Sequence, residues 1–105
     1  MNKLEDVIGC LKDAKLTNIT VYDLGKESPL FDYFIIANAS NKRQLSAALD
    51  KIYEKKLTYD HIEGTNDSGW ILLDMDDIIV NIMTDDTREL YNLDSVYIKY
   101  KKMEY

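Results

Sequence analysis

One cysteine, one histidine, one proline and four glycines in 105 residues remove whole classes of chemistry at the outset. A lone cysteine excludes an internal disulfide and any multi-cysteine metal centre, and Cys10 lies among Val7, Ile8 and Leu11, where it reads as a small core hydrophobe. His61 is also alone and reads as structural or solvated. The few glycines form no phosphate-cradling loop of the P-loop or Rossmann kind, so the familiar nucleophile and cofactor patterns are missing and no cofactor is expected. No apolar run is long enough to cross a membrane. The opening Met1-Asn2-Lys3-Leu4-Glu5-Asp6 carries acids where a signal peptide carries bases, and the expectation is a cytoplasmic protein. Repeats, linkers and low-complexity tracts are absent too. At 46% hydrophobic and 30% charged residues, the chain should form one ordered domain over 1–105, with 99–105 as a short tail.

Positive charge is scarce in one half. From Asp60 to Val96 there are ten acids and one base, Arg88, a net of −9, whereas the remainder has nine acids and twelve bases, a net of +3. Such an acidic half repels phosphate backbones, which disfavours sequence-specific nucleic-acid binding there, and it attracts a basic protein. A solvated acidic surface is the plainer alternative.

Leu4, Val7, Ile8 and Leu11 recur at helical spacing and predict an amphipathic helix over the first dozen residues. Strand alternation follows at Asn18 to Leu24, and Tyr33 to Ala37 is a continuous apolar run expected of a strand covered on both faces. Asn41 and Gln44 form a capping-box pattern opening a helix that buries Leu45, Ala48, Leu49 and Ile52 and exposes Lys42, Arg43, Lys51, Lys55 and Lys56. That basic face admits a general RNA-binding reading, against the commoner fate of a solvated helix face. Tyr59 to Glu63 predicts a third strand and Gly64 to Gly69 a loop. Trp70 to Asp74 and Ile78 to Met83 predict an antiparallel hairpin turning at Met75-Asp76-Asp77, and Thr84 to Leu90 a short helix. The architecture expected is α/β, a mixed sheet of about five strands with helices packed on it.

Alternation puts Trp70, Leu72 and Asp74 on one face of the hairpin and Ile71, Leu73 and Met75 on the other. Both faces are apolar, so either helices cover both or one is kept for a partner, and Trp70 has a core reading and an interface reading. Asp74 and Asp76 are the pair that suggests catalysis: carboxylates at i and i+2 of a strand project together and can share Mg²⁺, as nucleotidyl transfer requires. The helpers of such a site, a Gly-Ser phosphate loop and a third carboxylate, are not evident, since Ala39-Ser40 and Asn81 stand nearby instead. Arg88 and Tyr91 share a helix face, and Arg88 is expected to pair internally with a nearby acid.

Three blocks together resemble the Iojap, or ribosomal silencing factor, family over about residues 3 to 98. They are Ser28 with Asp32-Tyr33-Phe34-Ile35-Ile36-Ala37 and Ser40-Asn41; Gly69-Trp70-Ile71-Leu72-Leu73-Asp74 with Asp77-Ile78-Ile79-Val80; and Arg88-Glu89-Leu90-Tyr91-Asn92-Leu93-Asp94. The resemblance implies a nucleotidyltransferase-like sheet without an active site. It also implies a homodimer when free, and a non-catalytic protein that binds the large ribosomal subunit through ribosomal protein fourteen, blocks joining of the small subunit and represses translation. The partner-binding residues it implies are Trp70, Leu72, Leu73, Asp74, Met75, Asp76, Asp77, Asn81, Arg88 and Tyr91. Four places depart from the family pattern. Asn81 stands where His is usual, Met75-Asp76 where an aromatic and Gly are usual, Asn38-Ala39 where Thr-Gly or a similar pair is usual, and Tyr97 where Trp is common.

Overall fold

The computed structural model describes residues 2–105. Helix α1 (Lys3–Asp13) is capped by the Asn2 side chain, which accepts from the Glu5 amide, with Glu5 and Asp6 at the positive end of the helix dipole and Lys12 at the negative end. Strands β1 (Thr17–Asp23) and β2 (Tyr33–Ala39) pair antiparallel, and helix α2 (Lys42–Glu54) follows. Asn41 caps α2 through the Gln44 amide, but the return contact is displaced from the expected box. Gln44 Oε1 accepts from the Ser40 amide at 2.6 Å while its Nε2 donates to the Ala14 and Lys15 carbonyls, tying the start of α2 to the end of α1.

Strands β3 (His61–Thr65), β4 (Trp70–Asp74) and β5 (Ile78–Thr84) form an antiparallel meander, β5 runs parallel to β2, and short helices α3 (Asp85–Tyr91) and α4 (Leu93–Val96) lead to β6 (Lys101–Glu104). The sheet order is β3-β4-β5-β2-β1-β6. Two expectations are corrected here. The sheet has six strands, because the segment expected to be a tail pairs antiparallel with β1 and Tyr105 N donates to the Ile19 carbonyl at 2.9 Å. Only Met103 of β6 packs on the core, so this strand depends on the free edge of β1 rather than on its own apolar content, and it has no sequence pattern to betray it. The third strand also begins later than expected and runs through Gly64, which has a φ of +89° and where a Cβ would come within 2.0 Å of the Trp70 carbonyl oxygen, so only glycine fits.

Helices α1 and α2 cover one face of the sheet. Leu4, Val7, Leu11, Leu45, Ala48 and Ile52 meet Val21, Ile35, Ala37, Ile71, Leu73, Val80 and Ile82 there in one buried cluster. Cys10 is buried in it, and burial pushes its thiol pKa up, as expected of an inert core position. A second, smaller cluster of Tyr22, Leu24, Phe34, Ile36 and Met83 lies on the opposite face, covered by Leu93, Tyr97 and Tyr100, with Tyr97 stacked on Phe34 at 4.0 Å between ring centres. That second cover reaches only part of the sheet. No helix among the described residues is long and apolar enough to cross a membrane.

Candidate protein-docking face

Strand register places three rows of side chains across the second face. Glu63, Leu72, Asn81, Ile36 and Thr20 form one; Thr65, Trp70, Met83 and Asn38 another; His61, Asp74, Ile79, Phe34 and Tyr22 the third. The β1–β2 ends of these rows lie under the C-terminal segment. At the β3–β4–β5 end the cover stops, and Trp70, Leu72, Asp74 and Ile79 are half-buried while Tyr91 is 56% exposed. The second face is thus covered over one half of the sheet and open over the other.

The half-buried tryptophan is held in place by its neighbours. Its indole Nε1 donates to Asn81 Oδ1 at 3.0 Å, and Asn81 Nδ2 donates to the Ile35 carbonyl at 3.1 Å, so a fully buried amide links the ring to the central strand β2. Tyr91 packs on the indole with ring centres 5.1 Å apart at 46°. A cleft of about 270 Å³ opens beside the pair, lined by Glu63, Gly64, Ser68, Trp70, Leu72 and Tyr91.

Helix α3, which carries Tyr91, is fixed by Arg88. The guanidinium donates from Nε and Nη2 to both carboxylate oxygens of Asp94 at 3.0 Å, from Nη1 to the Asn18 carbonyl and Asn38 Oδ1, and from Nη2 to Thr20 Oγ1. The expectation of an internal ion pair for Arg88 therefore holds, and its fork is fully used. Tyr22 donates its hydroxyl to the same carboxylate at 2.6 Å. Burial would raise the Asp94 pKa, but the hydrogen bonds from Arg88 and Tyr22 and the guanidinium charge outweigh it and hold the carboxyl below the ordinary value of 3.8. Burial, then the bond to Asp94, drives the Tyr22 hydroxyl well above its usual range.

The residues implicated by sequence separate into three groups. Trp70, Leu72, Asp74 and Tyr91 share the open face. Asp76 is exposed at the hairpin tip, and Asp77 stands beside it, its side chain ion-paired with Lys3 at 3.2 Å and its carbonyl accepting from the Asp32 and Tyr33 amides. Leu73, Met75 and Asn81 are the corrections: all are buried at 0–1% exposure and offer a partner no surface, and Arg88 offers no free donor. Leu73 points to the helix side because neighbouring strand residues alternate, and Met75 is drawn under the turn, where its amide donates to the Ile78 carbonyl.

The carboxylate pair is also corrected. Strand β4 ends at Asp74, and Asp76 lies in the turn at φ +72° with its amide donating to Asp74 Oδ1, so the two side chains do not project together as strand neighbours would. Among the described residues, no group of three or more His, Cys, Asp or Glu side chains is placed to hold a metal ion. Sequence reading missed Glu63 and Ile79, which join the open face. Alternation along β5 would have found Ile79 once the hairpin register was known, but Glu63 depends on a third strand whose start the pattern misplaces.

Comparison with known proteins points one way. The family described as "Ribosomal silencing factor during starvation" matches residues 1–105. The chain is 33% identical over 101 residues to the ribosomal silencing factor RsfS of Haemophilus influenzae, covering 92% of this chain and 99% of that one. It is 32% identical to RsfS of Zymomonas mobilis, covering 90% of this chain and 74% of the relative. A crystal structure of a Chromobacterium violaceum protein superposes with a TM-score of 0.81 at 26% identity, covering 96% of this chain and 90% of that chain.

Proposed function

The chain belongs to the ribosomal silencing factor family, and from that membership we propose that it is a non-catalytic repressor of translation that docks on the large ribosomal subunit through ribosomal protein fourteen and sterically blocks joining of the small subunit. The observation that carries this reading is the uncovered end of the sheet, where Trp70, Leu72, Ile79 and Tyr91 present apolar surface rimmed by Glu63, Asp74 and Asp76. A rigid aromatic centre with a charged rim is the anatomy of a binding hot spot, and its negative sign suits the cationic surface of a ribosomal protein. The whole chain acts as one cytoplasmic domain and is a homodimer when free.

Light scattering of mixed ribosomal subunits tests it. Wild-type protein at micromolar concentration slows joining, and the double variant Trp70→Ala with Asp74→Lys loses docking while keeping its circular dichroism spectrum. Unslowed joining with wild-type protein, or docking that survives the double variant, overturns the reading or its surface respectively.

A further inference from the structure

The cleft beside Trp70 has a composition that selects among partner side chains. It is lined by Trp70, Tyr91 and Leu72 together with Glu63, Gly64 and Ser68, so its one charged lining residue is an acid and no lysine or arginine is among them. The indole N–H is already given to Asn81, so the ring is fixed and only its π-face and edge carbons are left to a ligand. Glu63 uses Oε1 toward His61 Nε2 at 3.0 Å, and its side chain is 65% exposed. The segment from Asp60 to Val96, which carries the cleft, holds ten acids, and its single base, Arg88, is spent internally. An aromatic wall with a carboxylate at its mouth attracts a cation through both the ring quadrupole and direct charge pairing.

We propose that this cleft is the receptor for a single arginine side chain of the docking partner, its guanidinium stacked on Trp70 beside Tyr91 and paired with Glu63. The assignment rests on the docking reading above and specifies what that face recognises. Arginine is favoured over lysine because its planar, weakly hydrated head stacks on a ring while keeping in-plane donors for a carboxylate, whereas an ammonium stays strongly hydrated. The site is preorganised from beneath: Asn81 holds the indole and the Arg88 cluster holds the helix that carries Tyr91.

Trp70 is the chain's single tryptophan and therefore reports on the cleft directly. Amide-capped arginine is titrated at low salt against the intact protein while Trp70 fluorescence and the indole N–H resonance are followed, with capped citrulline as the neutral isostere and capped lysine as the charge control. Arginine is expected to half-saturate at about 1–10 mM, the range of a single-residue contact. Citrulline should give no saturable response, lysine should bind several-fold more weakly, and Glu63→Gln, an exposed edge-strand change that leaves folding intact, should weaken arginine binding several-fold. Equal responses to arginine and citrulline, or none to either, overturn the proposal, and an equal response to lysine overturns the choice of arginine. Glu63→Gln should also dock less tightly on large subunits. If wild-type protein docks while the cleft ignores arginine, the inference falls and the docking reading stands. If the cleft selects arginine while large subunits are not bound, the docking reading falls alone.

Discussion

Leu72 and Leu73 are neighbours on β4, yet Leu73 is fully buried under the two long helices while Leu72 stays half-exposed beside Trp70. The helix-covered face is uniform: aliphatic side chains interdigitate, Cys10 is inert, and Asn81 and Asn38, the buried amides, lie on the other face. The second face is mixed. Half of it is sealed by the C-terminal segment through aromatic stacking and the Arg88 cluster, and half is left as aromatic and acidic surface. One face is wholly given to the core, and the other is divided between a sealed half and an open one.

Truncation on β4 is the strongest way to break this contrast. Leu73→Ala should cost about 3–4 kcal/mol by lost burial and cavity formation, whereas Leu72→Ala should cost under about 1 kcal/mol and act on docking instead. Chemical denaturation of both variants beside a large-subunit binding assay checks it. Equal costs would mean that the open face is sealed in solution.

The Arg88 cluster sharpens the boundary between the sealed and open halves. Arg88→Leu leaves Asp94 without its main partner and should cost about 2–3 kcal/mol, loosening α3 and with it the Tyr91 contact to Trp70. Its sign with pH follows from Asp94. A carboxyl with a folded pKa below its unfolded 3.8 contributes stability that is complete above that value and is lost as pH falls through the lower folded one. Thermal unfolding of wild type should therefore lose this contribution on the acid side of about pH 4. Asp94→Asn should be less stable at neutral pH and flatter across that acid range.

Asn81→Ala strips the indole of its acceptor and takes a side-chain donor from the Ile35 carbonyl, at an expected cost of about 1–2 kcal/mol. Its distinctive readout is the Trp70 side chain, whose order should fall in relaxation measurements on the indole N–H; an unchanged indole would show that Tyr91 alone holds the ring. The smallest effect belongs to the hairpin tip. Asp76 occupies a left-handed conformation at φ +72°, which glycine adopts without strain, so Asp76→Gly should stabilise the fold by about 0.5 kcal/mol in a melting curve while keeping the turn. A loss of stability there would mean that the Asp76 side chain supports the turn.

Much of the site could be read from residue order because the hairpin obeys simple alternation. Trp70, Leu72 and Asp74 share a face as their spacing requires, and the solitary base Arg88 finds an internal acid as its surroundings suggest. The failures share a different cause. Leu73 and Met75 lie inside the same short run as the exposed residues, and resemblance to a family marks runs, not faces, whereas Asn81 shares the face of Leu72 but is fully buried there. Strand β6 and the edge position of Glu63 arise from pairing with distant strands, which a reading along the chain does not see.

Residue order by itself determined the two long helices, the β1, β2, β4 and β5 strands, their order, the Asn41 cap and the acidic half, because capping, alternation and periodicity act between residues a few positions apart. Only tertiary structure decided where the C-terminal cover stops, which face of β4 stays open, and which of the acids Arg88 pairs with. Those outcomes depend on which surfaces distant segments reach and bury, and burial is a property of the assembled sheet.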